Sequence, residues 1–159
     1  MLTPISTKPR LSTTANNRIA IVASRYNWEF VEPMISRAVE ELSLIEPGTK
    51  VDIAHAPGSF EIPFLTAKIL QNIKPDAVIC LGVIFKGETG HADLIASSVS
   101  DALCQLSVEK VVPVIHGVLL LNDPDQAKDR CLGTEMNRGI ECARAAIEII
   151  RSAKALPTR

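Results

Sequence analysis

The feature that most restricts the fold of this chain is an alternation. Short apolar runs rich in β-branched residues are each followed by a longer stretch with apolar residues at three- and four-residue steps. The clearest run is Asp76–Phe85. Its near-continuous hydrophobicity leaves no face for water and predicts a strand buried on both sides. Arg18–Ser24, Lys50–Ala56 and a segment within Val111–Leu121 repeat the theme. Pro113 in the last of these favours a strand start or an edge. Helices are expected over Asn27–Leu44, Phe60–Ile73, His91–Glu109, Asp123–Arg130 and Asn137–Ser152. Asn27 is the expected N-cap of the first helix, and Pro33 is tolerable if it falls in the opening turns. In the second helix, Phe64, Leu65, Ala67, Ile69 and Leu70 are available for packing. Alternation at this spacing predicts an α/β domain: a flavodoxin-like, doubly wound parallel sheet with helices on both faces and right-handed crossovers. Ligands of such sheets bind beyond the carboxyl ends of the strands.

A chain of 159 residues supports one such domain with a full core, and neither a repeat nor a linker marks a second. We assign residues 18–159 to it. Residues 1–17 are rich in Ser, Thr, Pro and Asn and read as a flexible tail. A net charge of −1 and 4% aromatics provide neither the basic field nor the stacking surface of a nucleic-acid binder. No apolar run reaches the ~18 residues that span a bilayer. Cys80, Cys104, Cys131 and Cys142 lack CxxC spacing. They read as small core residues of a cytoplasmic protein, with no disulfide or metal role.

Each strand end carries unusual residues. Ser24-Arg25-Tyr26-Asn27-Trp28 holds two aromatics that serve either as helix-start packing or as a platform for a flat ring. Ala56-Pro57-Gly58-Ser59-Phe60-Glu61-Ile62-Pro63 places a carboxylate at a helix start. There the helix dipole alone would favour it, although it could equally accept hydrogen bonds from ligand hydroxyls. Gly82-Val83-Ile84-Phe85-Lys86-Gly87-Glu88-Thr89-Gly90-His91 runs from a strand through a Gly-containing turn into a helix. Free amides at such a turn bind anions, and the adjacent imidazole is suited to proton transfer. The fourth strand contains His116 and leads to Arg130, whose plain reading is a salt bridge with a neighbour such as Asp129. Neither GxGxxG nor GxxxxGK[ST] occurs.

In this order, these motifs together with Pro113-Val114-Ile115-His116-Gly117-Val118-Leu119 and Gln126-Ala127-Lys128-Asp129-Arg130 resemble the 6,7-dimethyl-8-ribityllumazine synthase family over about Arg18 to Ile150. The resemblance implies an enzyme of riboflavin biosynthesis, a transferase that needs no cofactor. It condenses 5-amino-6-(D-ribitylamino)uracil with 3,4-dihydroxy-2-butanone 4-phosphate and releases phosphate and water. By position, it implies that Tyr26 stacks on the pyrimidine ring, with Asn27 bonding nearby. Ser59 and Glu61 would hold the ribityl chain and ring edge. Gly87, Glu88 and Thr89 would line the phosphate pocket, and His91 would be the catalytic acid/base. Arg130 of a neighbouring subunit would grip the phosphate, where a guanidinium's forked donors suit an oxyanion. His116, where the family commonly has an aromatic, and Arg138 would complete the substrate site from a neighbouring subunit. A second departure is Ala92-Asp93-Leu94 after the histidine, where the family is usually aromatic-rich.

The resemblance also implies a homopentamer with sites between adjacent subunits. It favours a sixty-subunit shell, and riboflavin synthase is a further partner of such shells. The alternative reading is a flavin- or lumazine-binding or shell-forming protein with little turnover.

Overall fold

A computed structural model describes residues 7–158. The expected alternation is present: β1 (Arg18–Ser24), α1 (Trp28–Ile45), β2 (Lys50–Ala56), a 3₁₀ turn (Ser59–Glu61) leading into α2 (Ile62–Asn72), β3 (Ala77–Phe85), α3 (His91–Lys110), β4 (Val114–Leu121), α4 (Pro124–Cys131) and α5 (Arg138–Lys154). The four strands are parallel in the order β2-β1-β3-β4. The chain goes from β1 outward to β2 and then jumps back over β1 to β3. The winding therefore reverses between β1 and β3, and the loops above their carboxyl ends diverge into a crevice.

Strand alternation sorts the core into two layers. Ile19, Ile21, Ala77, Ile79 and Leu81 face α1 and α5, whereas Ala20, Val22, Val78 and Cys80 face α2 and α3. Both central strands are buried on both faces through most of their length, as the apolar run at 76–85 predicted. Pro113 precedes β4, which is an edge strand, so both readings of that proline hold. The helix after β2 differs from expectation. It buries Ile62, Thr66, Ile69 and Leu70 and leaves Phe64 71% exposed. Phe64 stands two positions from both Ile62 and Thr66, about 200° round the helix from that stripe.

Helices α1 and α5 cross where Gly139 meets the Met34 backbone, and a Cβ at Gly139 would overlap the Met34 carbonyl. Neither partner is a flexible side-chain end, so the helices must separate to admit a methyl group. Gly139→Ala is expected to destabilise the fold by about 3 kcal/mol, the upper part of the overpacking range. A lowered urea midpoint with unchanged slope would register it. Ion pairs Arg144–Glu41 and Arg151–Glu46, at 2.8 and 2.9 Å, flank this seam.

Residues 7–17, expected as part of a loose tail, run along the domain: Pro9 is buried, and the Ser12 amide donates to the Ile45 carbonyl at 2.9 Å. Asn17 donates to the buried Glu46 carboxylate at 2.6 Å. The remainder of that expected tail, residues 1–6, lies outside the described residues. Cys80, Cys131 and Cys142 are buried as expected, but Cys104 is exposed on α3. Burial pushes the Cys80 and Cys142 thiols up to about 12 and that of Cys131 to about 11, which keeps them protonated.

Candidate functional site

A groove of about 490 Å³ occupies the crevice above β1 and β3. Tyr26 and Asn27 enter it from β1, Gly58, Ser59, Phe60 and Glu61 from β2, and Val83, Ile84, Phe85, His91, Ala92 and Ile95 from β3 and α3. Five of the residues expected from the sequence, Tyr26, Asn27, Ser59, Glu61 and His91, thus share one cavity. Its apolar wall at Val83–Phe85 belongs to the strand-to-turn motif marked in the sequence, whereas Ile95, one turn into α3, carried no signal beyond helical spacing. A smaller hollow of about 460 Å³, lined by Phe60, Glu61, His91, Leu94, Ile95 and Ser98, adjoins it.

The loops that build the groove are tied to one another. The amides of Arg25 and Tyr26 donate to the carbonyls of Ala56 and Pro57 at 2.8 and 3.1 Å. Asn27 precedes α1 but does not cap it through its side chain. It adopts a left-handed conformation, φ 57°, which asparagine tolerates better than most residues. Its amide nitrogen instead donates to the Val83 carbonyl at 2.8 Å. The expected N-cap bond is replaced by one that pins the β1 loop to the end of β3, and the amide oxygen remains available to a ligand.

Tyr26 projects its ring with 72% exposure, which suits a stacking platform more than helix-start packing. Trp28 turns away instead, meeting the His55 ring edge-on at 5.3 Å. Glu61 accepts the Gly58 amide at 3.0 Å, which holds its carboxylate at the groove mouth. Gly82 lies beneath Ser59, and a Cβ there would stand 2.7 Å from the Ser59 hydroxyl. Glycine is therefore needed for Ser59 to sit where it does.

His91 is the first residue of α3, after Gly90, so its imidazole stands beside the free amides of a helix N-terminus. Gly87, Glu88 and Thr89 form the exposed loop just before it. They lie between the end of β3 and His91 but do not line the groove wall. A Cβ at Gly87 would meet nothing within 4 Å. The loop is open on its outer side.

The remaining expected residues lie elsewhere. His116 pairs with Cys80, whereas the groove lies above Phe85, which pairs with Leu121. Five residues of strand place His116 about 16 Å below that end. Arg138 donates to the His116 carbonyl at 2.7 Å and to Glu141 at 2.9 Å. Its Nε is buried without an acceptor among the described residues. Arg130 lies 3.8 Å from the same Glu141, so the expected neighbouring salt-bridge partner, Asp129, gives way to one on α5. Asp123 caps α4 through the Gln126 amide at 2.9 Å, and Asn137 caps α5 through the Gly139 amide at 2.8 Å. These caps fix the helices that carry Arg130 and Arg138.

Arg130 lines a second groove of about 960 Å³ with Leu119–Leu121, Gln126, Lys128 and Gly133–Met136. No lysine or arginine is among the described residues lining the first groove. The platform, hydroxyl acceptors and imidazole therefore occupy one part of the chain, and the phosphate-suited cations another.

The sequence matches the model of the 6,7-dimethyl-8-ribityllumazine synthase family over residues 16–154. Two relatives carry that name. One, from Leuconostoc mesenteroides subsp. mesenteroides, is 37% identical over 90% of this chain and 92% of its own length. Another, from Thermococcus onnurineus, is 39% identical over 87% of this chain and 90% of its own length. No helix among the described residues is long and apolar enough to cross a membrane.

Proposed function

The chain belongs to the 6,7-dimethyl-8-ribityllumazine synthase family, enzymes of riboflavin biosynthesis that act on small molecules, and from that premise we propose that its active site is assembled between two copies. One copy supplies the groove with Tyr26, Asn27, Ser59, Glu61 and His91, and the next supplies His116, Arg130 and Arg138. The observation that carries this reading is the separation of the two sets on one chain. A groove with a ring platform and an imidazole but no cation is half of what the reaction needs. Phe60, Phe64, Leu94 and Val108 are each at least 60% exposed. Their apolar area fits an interface between copies better than a solvated surface.

In this arrangement Tyr26 stacks on the aminopyrimidinedione ring, while Ser59 and Glu61 accept from the ribityl hydroxyls and the ring edge. The Asn27 amide oxygen is within the same groove. Gly87, Glu88 and Thr89 offer amides and a hydroxyl to the phosphate, which Arg130 of the adjacent copy clamps. The amine and the butanone carbonyl condense to an imine with loss of water. Elimination of phosphate, attack of the ribitylamino nitrogen on the remaining carbonyl and loss of a second water then complete the lumazine. His91 moves the protons these steps require. Holding both substrates in one groove supplies a large part of the rate by proximity alone. A homopentamer is the assembly this sharing suits, and further association into a sixty-subunit shell is the larger form we propose. The unpaired thiols suit a cytoplasmic location.

Mixing the aminopyrimidine with the butanone phosphate and following the lumazine chromophore tests the proposal. Acceleration well above the protein-free rate is expected. A folded, assembled protein giving no acceleration would move the function to binding.

A further inference from the structure

His116 is held at two points. Arg138 donates to its main-chain carbonyl at 2.7 Å from α5. On the other side of β4, its ring Nε2 lies 2.6 Å from the hydroxyl of Ser100 on α3. Arg138, the charge that acts on His116, is itself paired with Glu141 on α5. β3 presents Cys80 as the register partner.

The direction of the Ser100 bond follows from counting protons. A hydroxyl has one hydrogen to donate and lone pairs to accept with. The Ser100 oxygen also lies 2.8 Å from the Ala96 carbonyl, one turn back along α3. A carbonyl can only accept, so the hydroxyl proton goes to Ala96, as serines inside helices commonly arrange. The Ser100 oxygen must then accept from the ring, and Nε2 carries the hydrogen. In a neutral imidazole this leaves Nδ1 as an acceptor. Half-burial holds the His116 pKa below its ordinary value; a hydrogen bond of the ring to its own backbone opposes this, Arg138 adds to it, and the net lowering favours that neutral form.

We infer that Ser100 is a positioning residue: it fixes the orientation and tautomer of His116, so that this side chain offers the substrate site a neutral ring with a hydrogen-bond acceptor at Nδ1. The inference rests on the reading that His116 contributes to a site shared between copies. A phenyl ring at that place offers only a stacking face, whereas Nδ1 also accepts from an N–H donor. Of the two substrates, only the aminopyrimidine carries N–H groups. The consequence is selective: Ser100 acts on recognition of the pyrimidine and leaves that of the butanone phosphate unchanged.

The test compares Ser100→Ala, Ser100→Thr and His116→Ala in the assembled protein. Solid-state ¹⁵N spectra of histidine-labelled protein read the ring directly, and His116→Ala assigns the signals among the three histidines. A single Nε2–H form is expected in the parent protein. Mixed or mobile ring signals are expected in Ser100→Ala, and restoration in Ser100→Thr, which keeps the hydroxyl. Kinetically, Ser100→Ala is expected to raise the pyrimidine KM about fivefold, the worth of one hydrogen bond. The butanone-phosphate KM and kcat should stay close to the parent values, and threonine should restore the pyrimidine KM. A role confined to stability would not move the ring signals or separate the two KM values. If Ser100→Ala matches the parent in spectrum and pyrimidine KM while His116→Ala does not, the positioning role is overturned and the shared site stands. If His116→Ala itself leaves the pyrimidine KM unchanged, the shared-site reading of His116 fails, and the role of Ser100 in recognition fails with it.

Discussion

His91→Ala is expected to lower kcat about a hundredfold, the low end of general acid–base contributions, with both KM values within a few-fold of the parent. His91 opens α3 beside the groove that also holds Tyr26 and Glu61, and it is the only imidazole among the described residues lining that groove. Imine formation consumes and releases protons on nitrogen and oxygen, and phosphate loss requires another transfer. Imidazole is the side chain best matched to such exchanges near neutrality. Alanine removes the relay but leaves the Tyr26 face and the Glu61 carboxylate, the latter held by the Gly58 amide. Binding should therefore survive, as should the part of the rate that comes from proximity. Chromophore kinetics combined with calorimetric titration of the pyrimidine would separate the two effects. Unchanged turnover would indicate that the groove binds without the assigned chemistry, as the binding-protein alternative holds.

The sequence made the frame legible because the strongest signals were local. The apolar run that became β3 admits no other placement once it must be buried on both faces. Pro113 marks where β4 begins. The crevice between β1 and β3 follows from topology, and Tyr26, Ser59, Glu61 and His91 reach it because each stands just past a strand end. What was not legible depends on contacts between distant residues. Asn27 carries the composition of an N-cap, yet its side chain bonds Val83, 56 positions away. Phe64 is apolar but stands two positions from both Ile62 and Thr66, about 200° round the helix from the buried stripe, and so turns outward. The bond between Ser100 and His116 joins a helix to an edge strand, with nothing in either local pattern to announce it. The separation of His91 from Arg130 into different grooves agrees with the family resemblance, which put them on neighbouring subunits, but no local pattern announces it. Residue types at strand ends name the chemistry available but not which cavity each side chain enters.

That separation leads to a decisive experiment. Two crippled proteins should restore each other. Arg130→Ala is expected to raise the KM for the butanone phosphate ten- to a hundredfold, the worth of a hydrogen-bonded ion pair to phosphate. At low concentrations of that substrate it is then nearly inactive, as is His91→Ala. Suppose subunits of the two variants assemble together. A boundary is intact when its groove comes from an Arg130→Ala subunit, which retains His91, and its cations come from a His91→Ala subunit, which retains Arg130. Equal random mixing in a ring with head-to-tail boundaries gives about a quarter of sites in that state. Co-expressed or co-refolded variants should therefore recover about a quarter of the parent rate, well above either variant alone. The same proteins mixed after assembly should recover nothing until subunits exchange. If His91 and Arg130 served a site within one chain, every site in the mixture would carry one of the two defects and no recovery would appear. The experiment thus separates a shared site from a single-chain one without requiring a structure of the assembly.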